Sequence, residues 1–181
     1  PAVQKHIKKC FEGIKSIKLL PPAGGQRTYE ANQMTSPDGE SCNFVHNLVV
    51  DGAVELWLLQ LEFTMKRAIS KLLLQAVQGF KHGKKEDWVK KTAGQLLITT
   101  GSIMWTNECT KALNAISTGS KGALKQQKKK QVSYLKKLTE VIRGPLTKVE
   151  RNKVVALITM EIHNRDVMDK MVKANCASVS D

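Results

Sequence analysis

"DGAVELWLLQLEFTMKRAISKLLLQAVQGF", Asp51 to Phe80, is the stretch on which the fold turns. Val54, Leu58, Leu61, Met65, Ile69, Leu72, Ala76 and Phe80 keep a three- and four-residue rhythm, which puts them on one face of a long α-helix. Leu56, Trp57, Leu59 and Leu73 widen that face, so neighbours are expected on more than one side.

Toward the C-terminus the same rhythm returns three times. "KHGKK" breaks the first helix, and a second is predicted from Glu86 to Ile116, with Val89, Ala93, Leu96, Ile103, Cys109, Ala112 and Ile116 inward. Gly94 and Gly101 weaken it, at about 1 kcal/mol each in a helix interior. "STGSKG" is the next break. A basic helix over 121–142 follows, with Val132, Leu135, Leu138 and Ile142 inward. "RGP" at 143–145 stops it, and Pro145 suits the first turn of a last helix over 145–174. That helix is expected to bury Leu146, Val149, Val154, Leu157, Ile158, Ile162, Met168 and Val172. At about 1.5 Å per residue it would be about 45 Å long.

Toward the N-terminus, Ile7, Cys10, Phe11, Ile14 and Ile17 predict a helix over 2–18, closed by "PPAGGQ" at 21–26. "RTYEANQMTS" and "ESCNFVHNLVV" flank "PDG" at 37–39, where proline presets φ and glycine accepts a positive one. This is the pattern of a β-hairpin, with Cys42, Phe44, His46 and Leu48 on one side. The predicted fold is therefore mainly α: an elongated bundle of long helices with one small β-hairpin near the N-terminus. Its parts are a helix within 1–20, a hairpin region over 27–50 and a helical bundle over 51–175, all one segment.

Charge divides the chain of 181 residues. The formal net charge is +13. Residues 81–153 hold 17 Lys and Arg against 5 Asp and Glu, and the rest holds 12 against 11. A basic middle segment can attract nucleic acid, an acidic membrane or an acidic protein surface. "KQQKKK" at 125–130 is its densest part, but it has no interleaved aromatic side chains on which bases could stack. A solvated or protein-docking face fits it better. No apolar run approaches the roughly 18 residues of a membrane span. The first residues lack the apolar core of a signal peptide. They also lack an initiating Met, so a processed chain or a fragment is expected. Cys10, Cys42, Cys109 and Cys176 form no CxxC pair and are expected as free thiols.

Catalytic chemistry has few candidates. "STGSKG" lacks the glycine spacing of a phosphate-binding loop and no strand precedes it. His6, His46, His82 and His163 lie on different predicted elements, which is no metal-site spacing. "EIHNRDVMDK", Glu161 to Lys170, is the most polar part of the last helix. Glu161, Arg165 and Asp169 stack at four-residue steps, as a salt-bridge ladder would, and His163 and Asp166 share another strip. Val154, Ile158, Glu161 and Arg165 share a side, so the ladder continues an apolar stripe. Such a face reads as docking or packing rather than catalysis.

Five pieces in order carry a family resemblance: "HIKKCFEGIKSIKL" (6–19), "MTSPDGESCNF" (34–44), "VELWLLQLEFTMKRAI" (54–69), "GQLLITTGSIMWTNECTKAL" (94–113) and "IRGPLTKVERNKVVALITMEIHNRDVMDKM" (142–171). Together they resemble the C-terminal part of the dynein heavy chain linker, just before the first AAA+ module, with an axonemal flavour. Thr92-Ala93 stands where many such chains have a proline, and "SKGALKQQKKK" is more basic than the family pattern.

The resemblance implies a mechanical segment with no catalytic site of its own, anchoring a lever to a ring whose ATP hydrolysis drives movement along microtubules. ATP and Mg would belong to that ring and no cofactor to this segment. Implied partners are the AAA+ ring and the remaining linker of the same chain. Microtubules and dynein light and intermediate chains follow through the whole complex, with no membrane and no specific nucleic acid. The implied location is the cytoskeleton of the cytoplasm, in a ciliary or flagellar axoneme. Glu161, His163, Arg165, Asp166 and Asp169 would then be structural or docking residues. The competing expectation is a stand-alone basic helical protein that binds nucleic acid or an acidic surface.

Overall fold

A computed structural model describes residues 2–22, 24–25 and 27–176. Among them are six helices and one antiparallel sheet: α1 (Ala2–Cys10), β1 (Ser16–Leu20), β2 (Tyr29–Thr35), β3 (Ser41–Val50), α2 (Val54–His82), α3 (Lys85–Lys91), α4 (Gly94–Ser117), α5 (Ala123–Arg143) and α6 (Lys148–Ala174). The chain forms two compact units, Pro1–Leu74 and Gln75–Asp181.

In the first unit the strands lie in the order β1-β2-β3. The predicted hairpin is β2–β3. Its turn is closed by Gly39 N–H donating to the Ser36 carbonyl at 3.1 Å, with Gly39 at φ +92°. That left-handed position is what the glycine of Pro37-Asp38-Gly39 supplies without a Cβ clash. The pairing register shifts between Ala31 and Gln33, so Ala31 and Met34 both reach the core despite their odd spacing. Cys42, Phe44 and Leu48 pack inward as the alternation predicts, whereas His46 is exposed within the irregular stretch.

The helix expected within 1–20 is corrected by the structure. It ends at Cys10, and Ser16–Leu20 is a strand. Ile17 pairs with Met34 and is 2% exposed. Gln4 explains how this edge strand is closed. Its Nε2 donates to the Ile17 carbonyl at 2.6 Å and its Oε1 accepts the Ile17 N–H at 3.0 Å. One side-chain amide thus satisfies both backbone groups on the strand's open side. Trp57, Leu61, Met65 and Ala68 of α2 cover the sheet with Ile7 of α1.

The second unit begins with the end of α2. The predicted helix over 86–116 is two helices, α3 and α4, separated by Thr92 and Ala93 in extended conformation. The carbonyls released at the break, those of Lys90 and Thr92, accept from Lys153 Nζ at 3.3 and 2.9 Å. A lysine at a helix C-terminus both bonds the last carbonyls and complements the dipole. The final helix starts later than Pro145. Thr147 caps it in a capping box with Glu150, Oγ1 accepting the Glu150 N–H at 3.3 Å and the Glu150 carboxylate accepting the Thr147 N–H at 2.8 Å.

Two apolar clusters hold α3–α6 together. One contains Trp88, Val89, Leu97, Leu138, Val154 and Leu157, and the other Cys109, Ala112, Leu113, Leu124 and Met168. Trp88 is fixed by its Nε1–H to the Ala76 carbonyl, 2.8 Å, and by the edge of Phe80, 5.0 Å between ring centres.

Candidate functional site: a polar layer and a charged helix face

Along α6 the buried positions are Val154, Leu157, Glu161, Asn164 and Met168, an alternation of three- and four-residue steps. Two of these core positions are polar. The same happens on the neighbouring helices: Thr100 is buried on α4, and Gln127 and Gln131 on α5. In chain order each of these residues lies between the members of the two apolar clusters. The three helices therefore carry a polar layer between two greasy ones.

Glu161 is the centre of that layer and is 2% exposed. Its Oε2 accepts from Gln131 Nε2 at 2.5 Å and from Asn164 Nδ2 at 3.2 Å. Burial pushes its carboxyl above its ordinary pKa, and the two amide donors pull the other way. Gly101 of α4 makes room for it. A Cβ there would stand 3.2 Å from Glu161 Oε1, 3.3 Å from Leu157 Cδ1 and 2.6 Å from Met160 Cε. The glycine that weakens a helix in isolation is what lets α4 approach α6. A cavity of about 150 Å³ adjoins, with Phe80, Trp105, Tyr134 and Glu161 on its wall. Trp105 Nε1 and the Tyr134 hydroxyl are buried with no protein partner.

The predicted site residues divide. Glu161 and Asp169 face neighbouring helices, whereas His163 and Asp166 are exposed and Arg165 is half-buried. The ladder through Glu161, Arg165 and Asp169 is not formed. Arg165 turns to its sequence neighbour Asp166, with Nε and Nη2 3.0 and 2.7 Å from Oδ1. Asp169 is shared by Lys128 of α5 and by Lys173, the latter at 2.8 Å. These two ammonium groups bring its pKa from 3.8 to about 2. Glu161 takes amides instead of the Arg165 guanidinium. Gln131 and Asn164 were absent from the sequence candidates. Their signal is a polar residue at a stripe position, the same signal that marked Glu161.

Among the described residues, no group of three or more His, Cys, Asp or Glu side chains is placed to hold a metal ion. No helix among them is long and apolar enough to cross a membrane. The charged and polar groups that converge here tie α5 to α6. The arrangement is mainly α, with a small antiparallel sheet near the N-terminus.

The comparisons give that class its family. A family model described as dynein heavy chain, N-terminal region 2, matches residues 1–76. The chain is 47% identical over 179 residues to the dynein-1-beta heavy chain of the flagellar inner arm I1 complex from Chlamydomonas reinhardtii, covering 99% of this chain and 4% of that protein. It is 44% identical over 183 residues to dynein axonemal heavy chain 2 of Homo sapiens, again 99% and 4%. Dynein axonemal heavy chain 12 of Homo sapiens is 32% identical over 182 residues, 99% of this chain and 6% of that protein. The chain belongs to the dynein heavy chain family, within the N-terminal region and of the axonemal type. It spans about one twentieth of the length of these relatives.

Proposed function

We propose that this segment is part of the force-transmitting linker of an axonemal dynein heavy chain, working in a ciliary or flagellar axoneme. It anchors the lever to the ring that hydrolyses ATP and has no catalytic role itself. The observation that carries the reading is the placement of the "EIHNRDVMDK" groups. Glu161 and Asp169 are tied to α5, so α6 is fixed in its bundle, while His163, Arg165 and Asp166 remain on an outer face. That outer face is the docking surface for the rest of the same heavy chain. Nucleotide and Mg belong to the ring, and microtubules and the smaller dynein chains are partners of the assembled motor.

The test is a heavy chain from which this segment is deleted, compared with the intact one. ATP binding should persist while microtubule gliding stops. Loss of nucleotide binding in the deleted chain, or saturable ATP turnover by the isolated segment after repurification, overturns the proposal. The densest basic stretch favours no free-standing nucleic-acid role, because Lys125, Lys128 and Lys129 lie beside Val132 and Val172 rather than beside aromatic rings.

A further inference from the structure

The "KQQKKK" stretch is left without a role by the linker reading, and the structure gives its lysines a definite setting. Lys125, Lys128 and Lys129 of α5 line a groove of about 480 Å³ whose apolar surface is Val132 of α5 and Val172 of α6. The three ammonium groups fall within about one helical turn, since residues three and four apart are neighbours on a helix. Of the three, Asp169 reaches only Lys128, and it shares its carboxylate with Lys173. Lys125 and Lys129 are exposed and make no ion pair within the described residues. Cations crowded around an aliphatic strip repel one another until a negative partner arrives.

We propose that this α5–α6 groove docks an acidic amphipathic polypeptide segment, carboxylates on the lysines and aliphatic side chains on Val132 and Val172. Three features select a polypeptide over a nucleic acid. The groove presents no aromatic ring for a base to stack on. It presents lysines and no arginine, the side chain that grips phosphate in bidentate fashion. Its centre is aliphatic, which suits leucine or valine side chains and wastes contact area against a sugar–phosphate strand. Asp169 is the built-in competitor: it occupies Lys128 with a carboxylate of the chain's own.

The test measures binding of a fluorescent helical peptide with one glutamate face and one leucine face, by anisotropy at several salt concentrations. A polyglutamate peptide and a single-stranded oligonucleotide of equal charge serve as comparisons. The glutamate–leucine peptide should bind tightest. Lys125→Glu with Lys129→Glu should weaken it about tenfold or more. Lys8→Glu with Lys9→Glu, the same charge change on exposed positions of α1, should leave it nearly unchanged. Val132→Ser should weaken the glutamate–leucine peptide and spare polyglutamate. Asp169→Asn should strengthen binding, because the internal carboxylate no longer competes. The proposal is overturned if the oligonucleotide binds as tightly as the peptide, if both charge-reversed variants lose binding equally, or if Val132→Ser is silent.

Discussion

Glu161 occupies a position on α6 where the stripe otherwise carries Val154, Leu157 and Met168. A carboxylate there is tolerable because Gln131 and Asn164 donate to it. Glu161→Leu should therefore cost about 2–6 kcal/mol in urea unfolding, because two buried amides lose their carboxylate acceptor at about 1–3 kcal/mol each. Glu161→Gln keeps an acceptor oxygen and should cost far less near neutral pH. The pH dependence follows from the raised pKa. The folded state keeps a proton that the unfolded state releases, so stability falls as pH rises from the ordinary glutamate value through the raised one. Glu161→Gln should flatten that fall. Asp169 acts in the opposite sense. Its contribution is present above pH 3.8 and is lost as pH drops toward about 2, and Asp169→Asn should remove that acid limb. Gly101→Ala should destabilise by about 1–3 kcal/mol, since the new methyl group meets Leu157 and Glu161 at the helix crossing.

Secondary-structure elements show where sequence is legible. α2, α5 and α6 are helices as the apolar rhythm predicts, but the rhythm overstates burial: Val54 and Ile69 of α2 and Val149 and Ile162 of α6, all expected inward, are exposed, as are Leu56 and Leu59. β1 is not legible in that rhythm, because Ile14 and Ile17 fit a helical spacing as well as a strand. Only Met34 across the sheet and Gln4 on the open edge decide it, and both are distant in sequence. The break at Thr92-Ala93 has neither proline nor glycine in its extended part. Lys153, some sixty residues on, holds its carbonyls, and no local pattern announces that. The candidate site was half legible for the same reason. Glu161 on an apolar stripe is visible in the spacing, whereas its α5 partner is not, and a permitted four-residue ladder loses to closer partners from another helix. Two predictions belong to this scale. Thr147→Ala should cost about 1 kcal/mol, measured as a shift of the urea midpoint, through loss of the α6 cap. Gln4→Ala should speed amide hydrogen exchange at Ile17 without changing exchange at Leu97, because it opens the β1 edge alone.

Over the whole molecule, residues that tie the helices together are distinct from charged residues left on an outer face. Arg165 and Asp166 pair with each other on an outer face, at side-chain exposures of 42% and 55%, so neither holds the bundle together. Truncating either should cost at most about 1 kcal/mol in the isolated chain. The proposed docking of this face in the heavy chain would desolvate the pair, and removing one partner from a desolvated charged contact costs more. Comparing Arg165→Ala and Asp166→Ala in both settings is the most direct test of the linker assignment, with chain unfolding, motor ATPase and microtubule gliding read side by side. The account predicts near-native unfolding of the isolated chain, intact nucleotide binding and ATPase in the heavy chain, and slowed gliding. It is contradicted if gliding and ATPase fall strictly together because nucleotide no longer binds, which would make this helix part of the chemistry rather than part of the lever.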